Sequence, residues 1–238
     1  MPVKRPQFVN EEIYHIIVRG TAGQEIFLER KDYLRYLLSL YQFNDKKMVL
    51  NAFRFSPDRE VFPIKPPEVD ESRETLIQIL AFCLMPNHVH LLVRQVADDG
   101  ISLFFQKMGG YSSYFNKKYQ RFGALFQRPF RAIHIETEDQ LLIVITYIHL
   151  NPTDLIEPNW KNKGISNPQK VMEFLESYPR SSYPYYLGKE GFSWLIGSSF
   201  LKKILKNPED FRNFVKARVF HKTKLKNFLN KARELFLE

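Results

Sequence analysis

Cysteine is almost missing from this sequence: Cys83 stands alone among 238 residues. A single thiol excludes an intramolecular disulfide framework and any zinc site built on cysteines. Long apolar runs are missing too. None approaches the roughly 18 residues that a membrane-spanning helix needs. Residues 1–6 lead into a polar, strand-like stretch without the apolar segment of a secretion signal. A reducing cytoplasm is the expected setting. Acidic side chains are in deficit, with 26 Asp and Glu against 35 Lys and Arg and a formal net charge of +9. That surplus points to a polyanionic partner, nucleic acid before membrane, because nothing in the chain resembles a lipid anchor. Aromatics, by contrast, are plentiful: 21 Phe and 12 Tyr. Most belong in a core, and the remainder are available to stack on bases. The length is enough to bury a substantial core and suits one α+β domain with an extension, or two small domains.

Residues 11–20 alternate as a strand does, with Ile13, His15 and Ile17 on one face and Tyr14, Ile16 and Val18 on the other. Residues 30–43 repeat apolar side chains at helical spacing (Tyr33, Tyr36, Leu37, Leu40, Tyr41). Residues 46–73 read as an inserted hairpin or loop followed by a solvated linker. Residues 76–84 form an almost wholly apolar strand, Met85-Pro86-Asn87 break it, and 88–93 return as a second strand. Residues 102–121 predict one amphipathic helix, weakened by Gly109 and Gly110. A short strand follows at 132–136. Thr137 and Gln140 then fit a capping box that opens a helix, and Pro152 stops that helix near Asn151. The order strand, helix, strand, strand, helix, strand, helix is close to the split βαβ, ferredoxin-like pattern: α+β, with an antiparallel sheet backed by helices. Residues 1–157 are expected to form the main domain and 158–238 a basic, mostly helical extension.

Two segments carry chemistry. In Met85-Pro86-Asn87-His88-Val89-His90-Leu91-Leu92-Val93, the histidines are i and i+2 on a strand and therefore share a face. Two imidazoles so placed can share a metal ion or flank a phosphate. Taken alone, such a pair is more often two unrelated histidines beside a turn. In Tyr147-Ile148-His149-Leu150-Asn151-Pro152, Tyr147 and Asn151 lie one helical turn apart on one face. Alone, the tyrosine reads as packing and the asparagine as a helix stop, while His149 points elsewhere.

Together the two segments resemble the single-tyrosine HUH transposases, and within them the REP-associated and insertion-sequence-200-like group. The His-hydrophobic-His motif stands as His88-Val89-His90, and the nucleophile helix ends in Tyr147 to Pro152. Residues 114–119 and 123–130 are similar to the family's intervening signature, and Ser181-Ser182-Tyr183 to its downstream turn. The likeness runs from about residue 11 to 188. It departs at the insert, at Phe126 where tryptophan is common, and at Pro129.

The resemblance implies cleavage of single-stranded DNA by transesterification, with Tyr147 as nucleophile and a 5′-phosphotyrosine intermediate. It implies a divalent metal, Mg²⁺ or Mn²⁺, held by His88, His90 and Asn151, and hairpin or palindromic repeats as partner DNA. Insertion-sequence members act as dimers and REP-associated members tend to be monomers, so monomer and homodimer both stand. Arg121, Gln127, Arg128 and Arg131, with Lys117 and Lys118, are candidate phosphate contacts; the bland alternative is a solvated rim. The basic residues of the C-terminal segments (Lys202, Lys203, Lys206, Lys222, Lys224, Lys226) read as solvated faces or a hairpin-binding surface. Two other readings remain open: a catalytically silent module that binds single strands, and a metal-dependent hydrolase that uses water in place of Tyr147.

Overall fold

The computed structural model describes residues 6–48, 72–197 and 207–236. Most of the stretch read as an insert, 46–73, lies outside the described residues, as do Lys202, Lys203 and Lys206. Four strands, β1 (Ile13–Arg19), β2 (Ile77–Met85), β3 (His88–Gln95) and β4 (Arg131–Ile135), form one antiparallel sheet in the order β2-β3-β1-β4. Helix α1 (Arg30–Gln42) joins β1 to β2, while α2 (Gly100–Lys107) and α3 (Gly109–Lys118) join β3 to β4. This is the split βαβ topology that the order of elements predicts.

Both faces of the sheet are buried, which is why β2 reads as a continuous apolar run. On the first face Tyr14, Ile16, Val18, Val89, Leu91 and Val93 pack under α1, α2 and α3. The opposite face carries Ala81, Cys83, Met85 and Leu92 against α4 (Glu138–Leu150). A bulge between Ile79 and Ala81 resets the alternation of β2, so Ile79 and Phe82 share the first face although their parity differs.

The single helix expected over 102–121 is two. Helix α2 ends and α3 begins at Met108, and Gly110, the second residue of α3, passes so close to α1's end that a Cβ there would lie 2.8 Å from the Phe43 ring. Buried Asp32 fastens α1 to α3. Its carboxylate accepts from the Leu28 and Glu29 amides at 2.9 and 3.1 Å, from the Lys118 ammonium at 2.6 Å, and from the Tyr119 and Tyr114 hydroxyls at 2.7 and 3.1 Å. At the start of α4, Thr137 Oγ1 accepts from the Gln140 amide at 3.2 Å. The Gln140 side chain, however, accepts from Glu136, one residue before the position a capping box uses.

The C-terminal segment covers the outer side of α4. Helices α5 (Trp160–Lys163), α6 (Pro168–Ser177), α7 (Tyr183–Tyr186), α8 (Pro208–Phe220) and α9 (Lys222–Phe236) share one apolar core with α4 and the sheet, with Trp160 fully buried in it. Between α6 and α7 the chain runs beside β2: Leu84 N donates to Arg180 O at 2.8 Å and Ser182 N to Phe82 O at 2.9 Å. The sheet's edge strand is thereby paired rather than left open. Among the described residues no helix is long and apolar enough to cross a membrane.

Candidate active site

The register of the sheet builds the site. Arg19 pairs with His88 and Ile17 with His90 on one side of β1, and Ile17 pairs with Arg131 on the other. Cross-strand partners and i, i+2 neighbours share a face. His15, Arg19, His88, His90 and Arg131 therefore all project from the face that α4 covers. The His88 and His90 rings lie 4.9 Å apart, centroid to centroid. Tyr147, on the third turn of α4, sets its ring edge-on to His90 at 5.9 Å. The sequence-predicted histidines and tyrosine are thus brought together.

Each imidazole is held through Nδ1. His88 Nδ1 lies 2.6 Å from Asn87 Oδ1, and Asn87 Nδ2 donates to Gly23 O at 3.3 Å, which fixes the amide's orientation. His90 Nδ1 lies 2.9 Å from His15 Nε2, with the two rings stacked. Histidines that bind metals characteristically engage their second nitrogen in this way, leaving the other lone pair for the ion. Burial, reinforced by the positive Arg19 and Lys161, pushes His88 down to about 3. Burial, together with His88, His15 and Lys161, drives His90 well below the ordinary histidine range. His15 falls to about 3 through burial and Arg131. All three are neutral at pH 7, the form in which imidazole coordinates.

Asn151 is buried at the end of α4, and its Nδ2 donates to Tyr147 O at 2.8 Å, leaving Oδ1 as its remaining acceptor. Among the described residues no group of three His, Cys, Asp or Glu side chains could hold a metal. Imidazoles and a neutral amide oxygen are donors of the kind that Mn²⁺ or Mg²⁺ accepts alongside water. His149 points away from the site and meets Ser182 Oγ at 2.7 Å.

Sequence reasoning missed three members of the site. Strand alternation puts His15 on its correct face but gives no link to His90, 75 positions away. Lys161, on α5, donates to the Tyr147 hydroxyl at 2.7 Å and lies 4.7 Å from the ring centroid. Arg19 joins Arg131 and Lys161 around a cavity of about 420 Å³ closed by Ile17, Gln127, Pro129 and Phe130. The Arg131 Nε is buried with no hydrogen-bond partner among the described residues. Such a donor calls for an acceptor.

The other candidate phosphate contacts divide. Gln127 and Arg131 line the cation pocket. Arg128 lines a neighbouring groove, and Lys117 is exposed on α3. Arg121 donates to Gln24 Oε1 at 2.5 Å. The Lys118 ammonium is held by Glu29 and Asp32, each at 2.6 Å.

Residues 70–151 match the family model described as transposase, IS200 like. That stretch, about a third of the chain, contains His88, His90, Tyr147 and Asn151, and over it the resemblance read from the motifs is borne out. No curated protein matches the chain. Among solved structures, that of a REP-associated tyrosine transposase bound to a REP hairpin is similar, with 14% identity and a TM-score of 0.49, spanning 79% of this chain and 87% of that one.

Proposed function

We propose that this protein is a metal-dependent, single-tyrosine transposase that cuts and rejoins single-stranded DNA at hairpin-forming repeats. The observation that carries the reading is Tyr147: its ring stands edge-on to His90, and its hydroxyl is held by Lys161, which also lines the cation pocket. A tyrosine kept only for packing has no need of such company.

In this reading a backbone phosphate enters the pocket of Arg19, Arg131 and Lys161, where charge-assisted hydrogen bonds hold its oxygens. The Tyr147 oxygen attacks phosphorus in line. The bond from phosphorus to the 3′-oxygen breaks as the new phosphotyrosine bond forms. The phenol gives up its proton and the departing 3′-oxygen takes one up as a hydroxyl. Lys161 offsets the negative charge that gathers on the attacking oxygen. Because one phosphoester replaces another, a 3′-hydroxyl from a second strand reverses the step without ATP. His88 and His90 through Nε2, and Asn151 through Oδ1, would hold the divalent ion. When bound, that ion supplies Lewis-acid polarisation of the phosphate.

The test is a denaturing gel of protein with labelled hairpin DNA drawn from repeats flanking the gene, run with Mn²⁺ and with EDTA. A metal-dependent shifted band, absent in Tyr147→Phe, is the expected result. Cleavage without a covalent band would instead make the protein a hydrolase, and binding without cleavage a silent module.

A further inference from the structure

On the other side of residues 127–130 from the cation pocket lies a groove of about 480 Å³, between the α2–α3 junction and residues 126–130. Gln127, Pro129 and Phe130 line both cavities, so this short segment is the wall between them. Three phenylalanines, Phe105, Phe126 and Phe130, border the groove only partly buried, with the Phe105 and Phe130 rings 4.4 Å apart. Amides and hydroxyls are interleaved with them, from Gln106, Gln127 and Ser112. Among the described residues, Arg128 is the one charged side chain in the lining, and no carboxylate faces the space.

We infer that this groove binds one unstacked nucleobase, that of the nucleotide adjoining the phosphate held in the cation pocket; the inference rests on the function proposed above. Aromatic faces set beside side chains that both donate and accept suit a flat heterocycle with a polar edge. An apolar peptide side chain would leave those amides and hydroxyls unpaired. Continuity supplies the rest: a strand whose phosphate lies on one side of residues 127–130 can lay its attached base over the other. The base is read by the protein itself, and Gln106 and Gln127 are the side chains placed to choose among bases.

Gly109 gives a clean way to close the groove. It lines the space, and a Cβ built on it meets nothing within 4 Å. Gly109 opens α3 at the groove's lining with room for a large side chain, and a bulky ring there takes up space beside the cavity without a clash at its Cβ. Gly109→Phe is therefore expected to melt no lower than wild type.

The experiment scans single abasic sites along the hairpin oligonucleotide on both sides of the cut. Wild type should show one adjoining position at which base loss lowers adduct formation about tenfold or more, the scale of one base–aromatic stack. Gly109→Phe should lose the same factor on the intact oligonucleotide and lose nothing further on the abasic one. A flat scan, or losses in mutant and abasic substrate that simply multiply, overturns the proposal. A second readout needs no cleavage: 2-aminopurine at the position should change its fluorescence on binding wild type but not Gly109→Phe. If no adduct forms with any oligonucleotide yet that signal appears and vanishes in the mutant, the base site stands and the transesterase reading falls. If neither protein perturbs the fluorophore, the base site falls.

Discussion

The Lys161 ammonium donates to the Tyr147 hydroxyl at 2.7 Å, so a residue beyond the helix that carries the nucleophile candidate holds its reactive atom. Lys161 also approaches Asp154 Oδ2 at 4.0 Å. Losing this donor removes charge stabilisation where the attacking oxygen becomes anionic. Lys161→Met should slow adduct formation about 10²-fold, the cost of one well-placed donor, with a much smaller change in DNA affinity. Lys161→Arg should recover part of the rate. Equal losses of rate and binding in Lys161→Met would show that the residue is only a phosphate contact.

His15 should matter to metal binding without touching the metal. Its Nε2 meets His90 Nδ1 at 2.9 Å, and with His90 as the donor of that bond the Nε2 of His90 keeps a lone pair for an ion. His15→Phe keeps the stacked ring but removes the hydrogen bond. Mn²⁺ affinity measured by calorimetry should fall about 10- to 100-fold, the usual effect of losing such a support. His88→Ala should weaken it further by removing a ligand. Unchanged Mn²⁺ affinity in His15→Phe would mean that His90 is not a ligand, or is oriented by other groups.

The Asp32 cluster should set the acid limit of stability. Burial pushes the Asp32 carboxyl up, but hydrogen bonds from Lys118, Tyr119 and the Leu28 and Glu29 amides outweigh it and hold it below the usual range. A carboxyl depressed in the folded state stabilises above its unfolded value of about 3.9 and loses that contribution as pH falls through the folded value. Melting temperature should therefore drop steeply on acidification below about pH 4. Asp32→Ala, which leaves Tyr119 and two amides without their acceptor and takes from Lys118 one of its two carboxylates, should cost about 3 kcal/mol at pH 7 and flatten that acid limb. An acid limb as steep in the mutant as in wild type would assign the transition to other carboxylates.

Local patterning made much of this legible. The alternation in β1 predicts its two faces correctly, and the spacing of His88 and His90 places both imidazoles together because a strand leaves no other choice. Long-range partnership was not legible. Nothing local in His15 or in the basic stretch around Lys161 marks either residue; each acquires its role only when the sheet register or the packing of α5 onto α4 brings it to the site. Lys118 shows the reverse: a lysine in a basic run reads as a phosphate contact, yet buried Asp32, 86 positions away, holds its charge. The break at Met108 escaped because helical periodicity continues across it, and the close approach of Gly110 to Phe43 beside it is a tertiary contact that no local pattern marks.

The C-terminal cations should carry part of the DNA affinity. A second groove of about 350 Å³ runs between α5 and α9, with Lys161 and Lys163 on one wall and Lys222, Lys226 and Arg233 on the other. Arg233 is anchored by Asn162 Oδ1 at 2.8 Å, which ties the two walls together. Like charges facing one another across a groove with no carboxylate among the described residues of its lining repel, and a polyanion relieves that cost. Lys161 lines both this groove and the cation pocket, so a backbone leaving the cut site meets it next. Each phosphate contact contributes about 0.7 to 0.9 to the slope of log affinity against log salt. The triple variant Lys163→Gln, Lys222→Gln, Lys226→Gln should therefore bind hairpin DNA more weakly at low salt, with a slope shallower by about 2 to 3 units. Once the DNA is saturated with protein, adduct formation should proceed at the wild-type rate, because none of the three reaches Tyr147. An unchanged salt slope would make these lysines a solvated helix face and send the DNA elsewhere.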